Sequence, residues 1–475
     1  MLQWSQNPNI PKGVFCMTRY GISVELKNIP SLDPEFIPIA RFNRAFLETA
    51  KKPVSIAVER AGGEMASCKT FIHGTPEMAQ ADRYYINRLV KTLLWFKGGF
   101  RIYVAGDRDI YEYLCDAFSK DGEQSFDSDF MAGVYENPFE VLFVDQVPEA
   151  KDSPKKMGGH LEGCRIGFDA GGSDRKVSAV IDGETVYSEE VVWFPKLQSD
   201  PQYHYDGIVS ALKSAASHMP RVDAVGVSSA GVYIQNRTMS ASLFLQVPKE
   251  LQEEKVRDIY IRAITDTFGD IPYCVINDGD VTALAGAMSL EEPAVLGIAM
   301  GTSEAGGFVD ANGCVTGWLN ELAFVPVDCA ENAMIDEWSG DIGCGVKYFS
   351  QDAVIKLAPR AGIELDENLS PAEKLKVVQK LMEEGDPRAA KVYASIGVYL
   401  AHSLAYYYDL YTCKHVLLLG RVMSGKGGDL ILDMCKRVLA DEYPELADKI
   451  FPSLPDEKFR RVGQSMAAAS LPEKA

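Results

Sequence analysis

The stretch RIGFDAGGSDRKVSAVIDGETVY, residues 165–187, places two glycines and a hydroxyl between apolar runs, with Asp169 at the lip and basic residues just beyond. A glycine pair lets backbone N–H groups converge on a small anion without interference from Cβ, and it is equally a cheap way to reverse a hairpin. The stretch has a partner downstream. Residues 295–317, VLGIAMGTSEAGGFVDANGCVTG, repeat the order strand, small-residue turn with a hydroxyl, strand, tight turn and strand. An internal duplication accounts for that recurrence. Two such turns, one with Gly171, Gly172 and Ser173 and the other with Gly301 and Thr302, can face each other across a cleft and hold a polyphosphate from both sides.

The first copy continues in the same style. PQYHYDGIVSALKSAASHM, residues 201–219, has apolar residues at helical spacing and leads into the strand VDAVGVSSAGVY, residues 222–233. The sharpest signal is YCVINDGDVTALAGAM, residues 273–288, where an apolar strand ends at Asn277-Asp278-Gly279-Asp280 and a small-residue helix begins at once. Asp278 therefore stands at the carboxyl end of a strand, where α/β clefts put their chemistry. Helix capping is the competing use of these acids, and Asp280 is the expected cap.

These motifs make the chain resemble the ROK family of bacterial sugar kinases and sugar-responsive regulators, in the sugar kinase, heat-shock chaperone and actin superfamily. FDAGGS looks like the family's first phosphate loop, INDGDVTALAGA like its catalytic Asn-Asp segment, and GTSEAGGF like its second phosphate loop, in the family's order. The adenosine motif falls on HVLLLGRVMSGKGGDLILDMC, residues 415–435, with Gly420 and Gly425. The resemblance, over about residues 164–465, implies an α/β fold of duplicated ribonuclease H-like units, the two-lobed actin-like ATPase architecture, preceded by a further α/β domain. It implies ATP and Mg²⁺ as cofactors, Asp278 as general base, Asp169 holding Mg²⁺ through water, and Asn277 and Glu321 orienting a sugar. Gly420, Gly425 and Lys426 also fit the core of a P-loop, but Gly427 stands where Mg²⁺ needs a Ser or Thr, and too little chain follows for the rest of a P-loop sheet.

The sequence departs from the family at three places. NELAF, residues 320–324, keeps Glu321 but puts Phe324 where the family has a sugar-binding histidine, adding an apolar face to the expected pocket. DEWSGDIGCGVKYFS, residues 336–350, holds Cys344 alone where the family has zinc ligands, so no structural zinc is expected. Glu304 lies in the second phosphate loop, an anion opposing phosphate unless it faces away or joins a Mg²⁺ shell. Other conspicuous side chains have plain readings: Trp338 and Tyr348 as packing, His204 and His218 as surface or capping groups, and Tyr406, Tyr407 and Tyr408 as a helix face partly in the core.

The remaining features bound the function. The 475 residues carry 48 basic and 67 acidic side chains, a net charge of −19 that repels phosphate backbones and anionic lipid. No apolar run is long enough to span a bilayer, and MLQWSQNPNIPKG lacks the basic start and apolar block of a leader, so a cytoplasmic protein is expected. The ten cysteines include no C-x-x-C pair and read as buried reduced thiols. Charge, Pro and Gly replace periodic apolar residues over 147–163, which sets a linker at 151–163 between a domain of residues 1–150 and the kinase-like domain of 164–475. Within the first domain, residues 53–74 read as a hairpin around Gly62 and Gly63, 77–96 as a helix, and 100–106 and 139–145 as strands. The expected activity is phosphorylation of a sugar hydroxyl. The alternative is a non-catalytic sugar- or nucleotide-sensing regulator using the same cleft, and a filament-forming actin relative ranks below both. A small-molecule sugar is the expected partner and a homodimer is admissible, with no nucleic acid and no membrane. Elemental analysis of protein purified without added metal is expected to find no stoichiometric zinc; one tightly held zinc per chain would overturn the reading of 320–350.

Overall fold

The computed structural model describes residues 13–473; MLQWSQNPNIPK, read above for a missing leader, lies outside the described residues. β1 (Phe15–Arg19) and β2 (Ile22–Leu26) form a hairpin, followed by α1 (Ile39–Thr49). β3 (Lys52–Glu59) turns through Gly62 and Gly63 into β4 (Met65–Ile72), and α2 (Ala79–Lys97) crosses to β5 (Arg101–Ala105). α3 (Arg108–Ala117), α4 (Ser125–Tyr135) and β6 (Glu140–Phe143) complete a sheet of order β4-β3-β5-β6. The hairpin, helix and two strands expected here are present close to their expected bounds.

β7 (Cys164–Ala170), β8 (Asp174–Ile181) and β9 (Glu184–Val192) run as an antiparallel meander. α5 (Pro201–Ala216), capped by Asp200, crosses back so that β10 (Ala224–Ser229) pairs with β7 in parallel. The small hairpin β11 (Val232–Ile234) and β12 (Arg237–Ser240), then α6 (Lys249–Leu251) and α7 (Ile259–Phe268), lead to β13 (Tyr273–Asn277), giving the order β13-β10-β7-β8-β9.

α8 (Asp278–Leu290) opens the second lobe, with β14 (Val295–Met300) antiparallel to β15 (Glu304–Val309). α9 (Gln351–Arg360), α10 (Pro371–Glu383) and α11 (Pro387–Tyr411) precede β16 (His415–Leu419), α12 (Gly425–Glu442), α13 (Pro444–Ala447) and β17 (Phe451–Ser453). The order β15-β14-β16-β17 repeats β8-β7-β10-β13 with the same parallel and antiparallel pairings. The chain thus has the duplicated, two-lobed α/β architecture of the actin-like ATPases.

One expected strand is missing from the second copy. Beyond β15 only the isolated bridges Val309 to Val315 and Lys155 to Val315 form. Gly313 and Gly317 turn the backbone through φ of +76° and +66°, and the chain then spends its N–H groups elsewhere. Leu319, Asn320 and Glu321 donate to the carbonyls of Lys97, Phe96 and Trp95, at 3.3, 3.0 and 3.0 Å, satisfying the free carbonyls at the end of α2.

One apolar cluster joins residues of both the N-terminal sheet and the second lobe, from Ile22 and Trp95 to Phe324, Tyr407 and Ile450, while a second fills the first lobe around Phe168, Leu212 and Ile264. Buried ion pairs bind α2 as well: Lys91 Nζ lies 2.8 Å from Asp127 and 3.1 Å from Asp341, and Arg88 lies 2.9 Å from Asp341. Burial opposes ionisation of Asp341, but Arg88 and Lys91 hold its carboxyl down to about 2. The linker is tied in too, since Lys151 exchanges two 2.8 Å backbone bonds with Met65.

α14 (Glu457–Ala469) returns to the first lobe and lies directly on its sheet. A β-carbon at Gly167 would stand 1.6 Å from the Ser465 carbonyl oxygen, and one at Gly226 1.7 Å from that of Ala468. Both positions require bare backbone. Gly167→Ala and Gly226→Ala are each expected to cost about 1–3 kcal/mol or more, read as a lower urea midpoint; wild-type midpoints would show that α14 does not seat on these strands.

Candidate functional site

β7, β10 and β13 are parallel neighbours, so their carboxyl ends bring Asp169, Ser228 and Asn277-Asp278 to one edge of the first lobe. Ser228 faces Asp169 in register, and its Oγ donates to Asp169 Oδ1 at 2.8 Å. Burial, reinforced by the charge of Asp278 and opposed by the Ser228 bond, pushes the Asp169 carboxyl up to about 6. Burial also raises Asp278, opposed by the Gly279 N–H, 3.0 Å from Oδ1, and by the charge of Lys196. Glu321, brought in by the backbone bonds to α2, is pushed up to about 7 by burial and by the charges of Asp278 and Asp280. The charge of Asp278 thus acts on both of the other acids expected from the sequence, Asp169 and Glu321.

Asn277, rather than Asp280, caps α8. Its Oδ1 accepts from Gly279 N at 2.6 Å and its Nδ2 donates to the Gly231 carbonyl at 2.8 Å, so both polar groups are engaged within the protein. Asp280, one turn inward, accepts from Phe308 N at 3.1 Å and Asn320 Nδ2 at 2.9 Å, and burial pushes it up to about 7. The expected cap fails because the side chain at 280 points at β15, where a backbone donor needs a partner.

The turn Gly171–Ser173 is exposed at Gly172 and Ser173. Trp193 Nε1 donates to the Gly171 carbonyl at 2.8 Å, and Ser173 Oγ to Asp174 Oδ2 at 2.9 Å. In the second turn Gly301 is half-buried and Thr302 exposed. Gly420 lies against it: with φ of +99°, a β-carbon there would stand 2.4 Å from the Met300 carbonyl oxygen. Gly425 begins α12, where Glu383 of α10 accepts from Lys426 N at 2.9 Å while Lys426 Nζ donates to the Glu383 carbonyl at 2.6 Å. An internal carboxylate thus sits where a P-loop would take phosphate.

Glu304 faces away from its turn. It is 2% exposed, its Oε1 accepts from Tyr407 at 3.4 Å, and burial pushes it up to about 8, which disfavours the anion expected beside phosphate. Phe324 does not line an open pocket either. It is 5% exposed and stacks on Trp95 of α2 at 4.1 Å between centroids. The segment in which the resemblance implies zinc ligands is held by Asp341 to α2, and Cys344 is fully buried with its thiol pushed up to about 12 by burial. Among the described residues no group of three or more His, Cys, Asp or Glu is arranged for a metal ion, and no helix is long and apolar enough to cross a membrane.

Three features escaped the sequence reading. Ser228 was legible as one of two serines ending a strand, but its partner required the β7–β10 register. Lys196 carries no local motif. His204, expected at the surface or as a cap, is fully buried, with Nε2 3.0 Å from the Pro195 carbonyl and 3.1 Å from that of Leu243. Of the packing aromatics, Tyr348 is fully buried, whereas Trp338 is 63% exposed with one edge on Phe126 and Phe324.

The family model of the ROK family matches residues 165–453. Among solved structures, a ROK family transcriptional regulator, a homologue of the E. coli MLC protein, superposes with a TM-score of 0.53 at 16% identity, covering 66% of this chain and 78% of its own. A ROK hexokinase from Thermus thermophilus gives 0.49 at 19% identity, covering 64% of this chain and 97% of its own. A ROK family glucokinase from Streptomyces griseus in complex with glucose and AMPPNP gives 0.47 at 19% identity, covering 65% and 98%. No curated protein matches the chain.

The buried acids make stability depend on pH. Unfolded Glu304 loses its proton near the ordinary value of 4.5, whereas folded it keeps the proton to about 8, so folding takes up a proton in that window and stability falls as pH rises through it. Glu304→Gln keeps an acceptor for Tyr407 and removes the titration. Its melting temperature is expected to fall less than that of the wild type between about pH 5 and 9; parallel curves would mean that Glu304 is ionised in the folded protein.

Proposed function

Because the chain belongs to the ROK family, we propose that it transfers the terminal phosphoryl group of ATP to a hydroxyl of a small sugar, with Asp278 as general base. The observation that carries this reading is the pair of raised carboxyls at the carboxyl ends of β7 and β13, the two strands that flank β10: Asp169 and Asp278, with an exposed glycine turn following Asp169.

Asp278 has the position and basicity to take the hydroxyl proton, since burial lifts it above an ordinary aspartate. Glu321 orients the sugar. Asn277 contributes by fixing the Gly231 carbonyl and the start of α8. The donor set suits Mg²⁺ and a polyphosphate: Asp169 gives one oxygen to Ser228, and its second has no protein partner among the described residues. Asp169 would hold Mg²⁺ through water, and the N–H groups of Gly171, Gly172, Ser173 and Thr302 would hold the phosphates, Gly301 shaping the second turn with its own N–H bonded to the Ser303 carbonyl at 2.9 Å and Gly420 and Gly425 bounding the adenosine side. Mg²⁺ with ATP supplies the electrophilic phosphorus and the positive charge that this cluster of acids lacks.

A regulator that binds sugar without turnover is the second reading. It is favoured by Phe324, which stands three residues from Glu321 and stacks on Trp95 of the N-terminal sheet's helix, linking the sugar side of the cleft to that unit. ADP release measured against hexoses, ketohexoses, N-acetylhexosamines and polyols, with and without Mg²⁺, separates the two. Asp278→Asn is expected to lower kcat by about 10²–10⁴-fold while leaving ATP–Mg²⁺ affinity nearly intact; near-normal kcat would remove Asp278 from the mechanism.

A further inference from the structure

Residues 193–197, WFPKL, form a strap beside the Gly171–Ser173 turn. Trp193 fastens it to the turn twice, its backbone N–H donating to the Ser173 carbonyl at 3.2 Å and its indole Nε1 to the Gly171 carbonyl at 2.8 Å. Phe194 N donates to Tyr203 Oη at 3.0 Å, and buried His204 holds the Pro195 carbonyl from below. Leu197 N and Gln198 N close a helical turn onto the carbonyls of Phe194 and Pro195, each at 3.2 Å. The backbone on either side of Lys196 is therefore anchored to the turn it borders.

The Lys196 side chain runs over Gly172. A β-carbon at Gly172 would stand 2.9 Å from Lys196 Cε and 3.2 Å from Nζ, so the ammonium lies on the exposed face of the turn. It forms no ion pair among the described residues, yet its charge acts on Asp278. Of the two basic residues that follow the turn in sequence, Arg175 lies over the Trp193 ring at 5.8 Å and Lys176 is drawn toward Asp174 and Glu190, at 3.9 and 3.6 Å. An ordinary surface lysine extends into solvent from a backbone indifferent to its position. Here the backbone is bonded to the turn itself, and the ammonium over Gly172 has no ion pair among the described residues.

We propose that Lys196 is a phosphate-contacting residue, its ammonium pairing with phosphoryl oxygens of a nucleoside triphosphate held at the Gly171–Ser173 turn and offsetting their charge beside Asp278. The inference rests on the phosphotransfer reading of the same cleft and extends it to a residue outside the glycine turns. It also gives Gly172 a second reason to lack a side chain, because the stem of Lys196 occupies that space.

Titration calorimetry of Lys196→Met and Lys196→Arg with AMP, ADP and ATP, all with Mg²⁺, tests it. The Met variant is expected to lose about tenfold or more in ATP affinity, the loss that goes with one charge-assisted hydrogen bond, with a smaller loss for ADP and none for AMP. Arg should recover most of it, and the thermal shift produced by a bound sugar should be unchanged. Equal weakening of AMP and ATP, or wild-type ATP affinity in the Met variant, would overturn the assignment. Wild-type protein that binds ATP through Lys196 but releases no ADP with any sugar would sink the kinase reading and keep Lys196 as a phosphate ligand. A wild-type protein binding neither ATP nor inorganic tripolyphosphate would overturn both.

Discussion

The end of α2 is the constraint on which the cleft depends. A helix leaves its last carbonyls unpaired, and burying them unpaired costs on the order of 1–3 kcal/mol each. Here the carbonyls of Trp95, Phe96 and Lys97 are met by the N–H groups of Leu319, Asn320 and Glu321. That exchange stops the second lobe from completing its third strand, sets Glu321 opposite Asp278, and presents Asn320 to Asp280 at 2.9 Å and to Tyr411 at 2.9 Å. Trp95 then offers its face to Phe324 and its Nε1 to Asp127, which also binds Lys91. A helix outside the family-matched region is thus part of the wall behind the cleft.

The cleft concentrates acids in a low-dielectric setting. Asp169, Asp278, Asp280 and Glu321 all carry raised carboxyls, each chiefly through burial, and their mutual charges add to it. Two of them differ in what they face. Asp280 Oδ1 takes a backbone donor from β15 and the Asn320 amide, which makes it a strut between α8 and β15, whereas Asp169 takes one donor, the Ser228 hydroxyl of the neighbouring strand.

Much of this was legible before the structure. Strand ends at Asp169 and Asp278, the glycine turns at 171–172 and 301, and the duplicated order of elements follow from apolar spacing and turn residues, which act locally. What stayed hidden depends on partners far away in the chain. Asp280 looked like a cap because Phe308 cannot be seen beside it in sequence; Glu304 looked like a misplaced anion because Tyr407, on α11, receives it. Phe324 looked like a pocket wall because nothing in NELAF announces Trp95. Lys196 and His204 gain meaning only from the fold that brings WFPKL to the first turn.

The seating of α14 bears on how the protein is made. Gly167 and Gly226 leave bare backbone on the first lobe's sheet, and the residues that cover it, Ser465 and Ala468, come after the whole second lobe. At about 5–20 residues per second, a ribosome presents that sheet uncovered for roughly 10–40 s before its cover emerges. During that interval the first lobe is a nascent domain with an open sheet face, and its last folding step waits for residues that follow the whole second lobe rather than resting on its own segment.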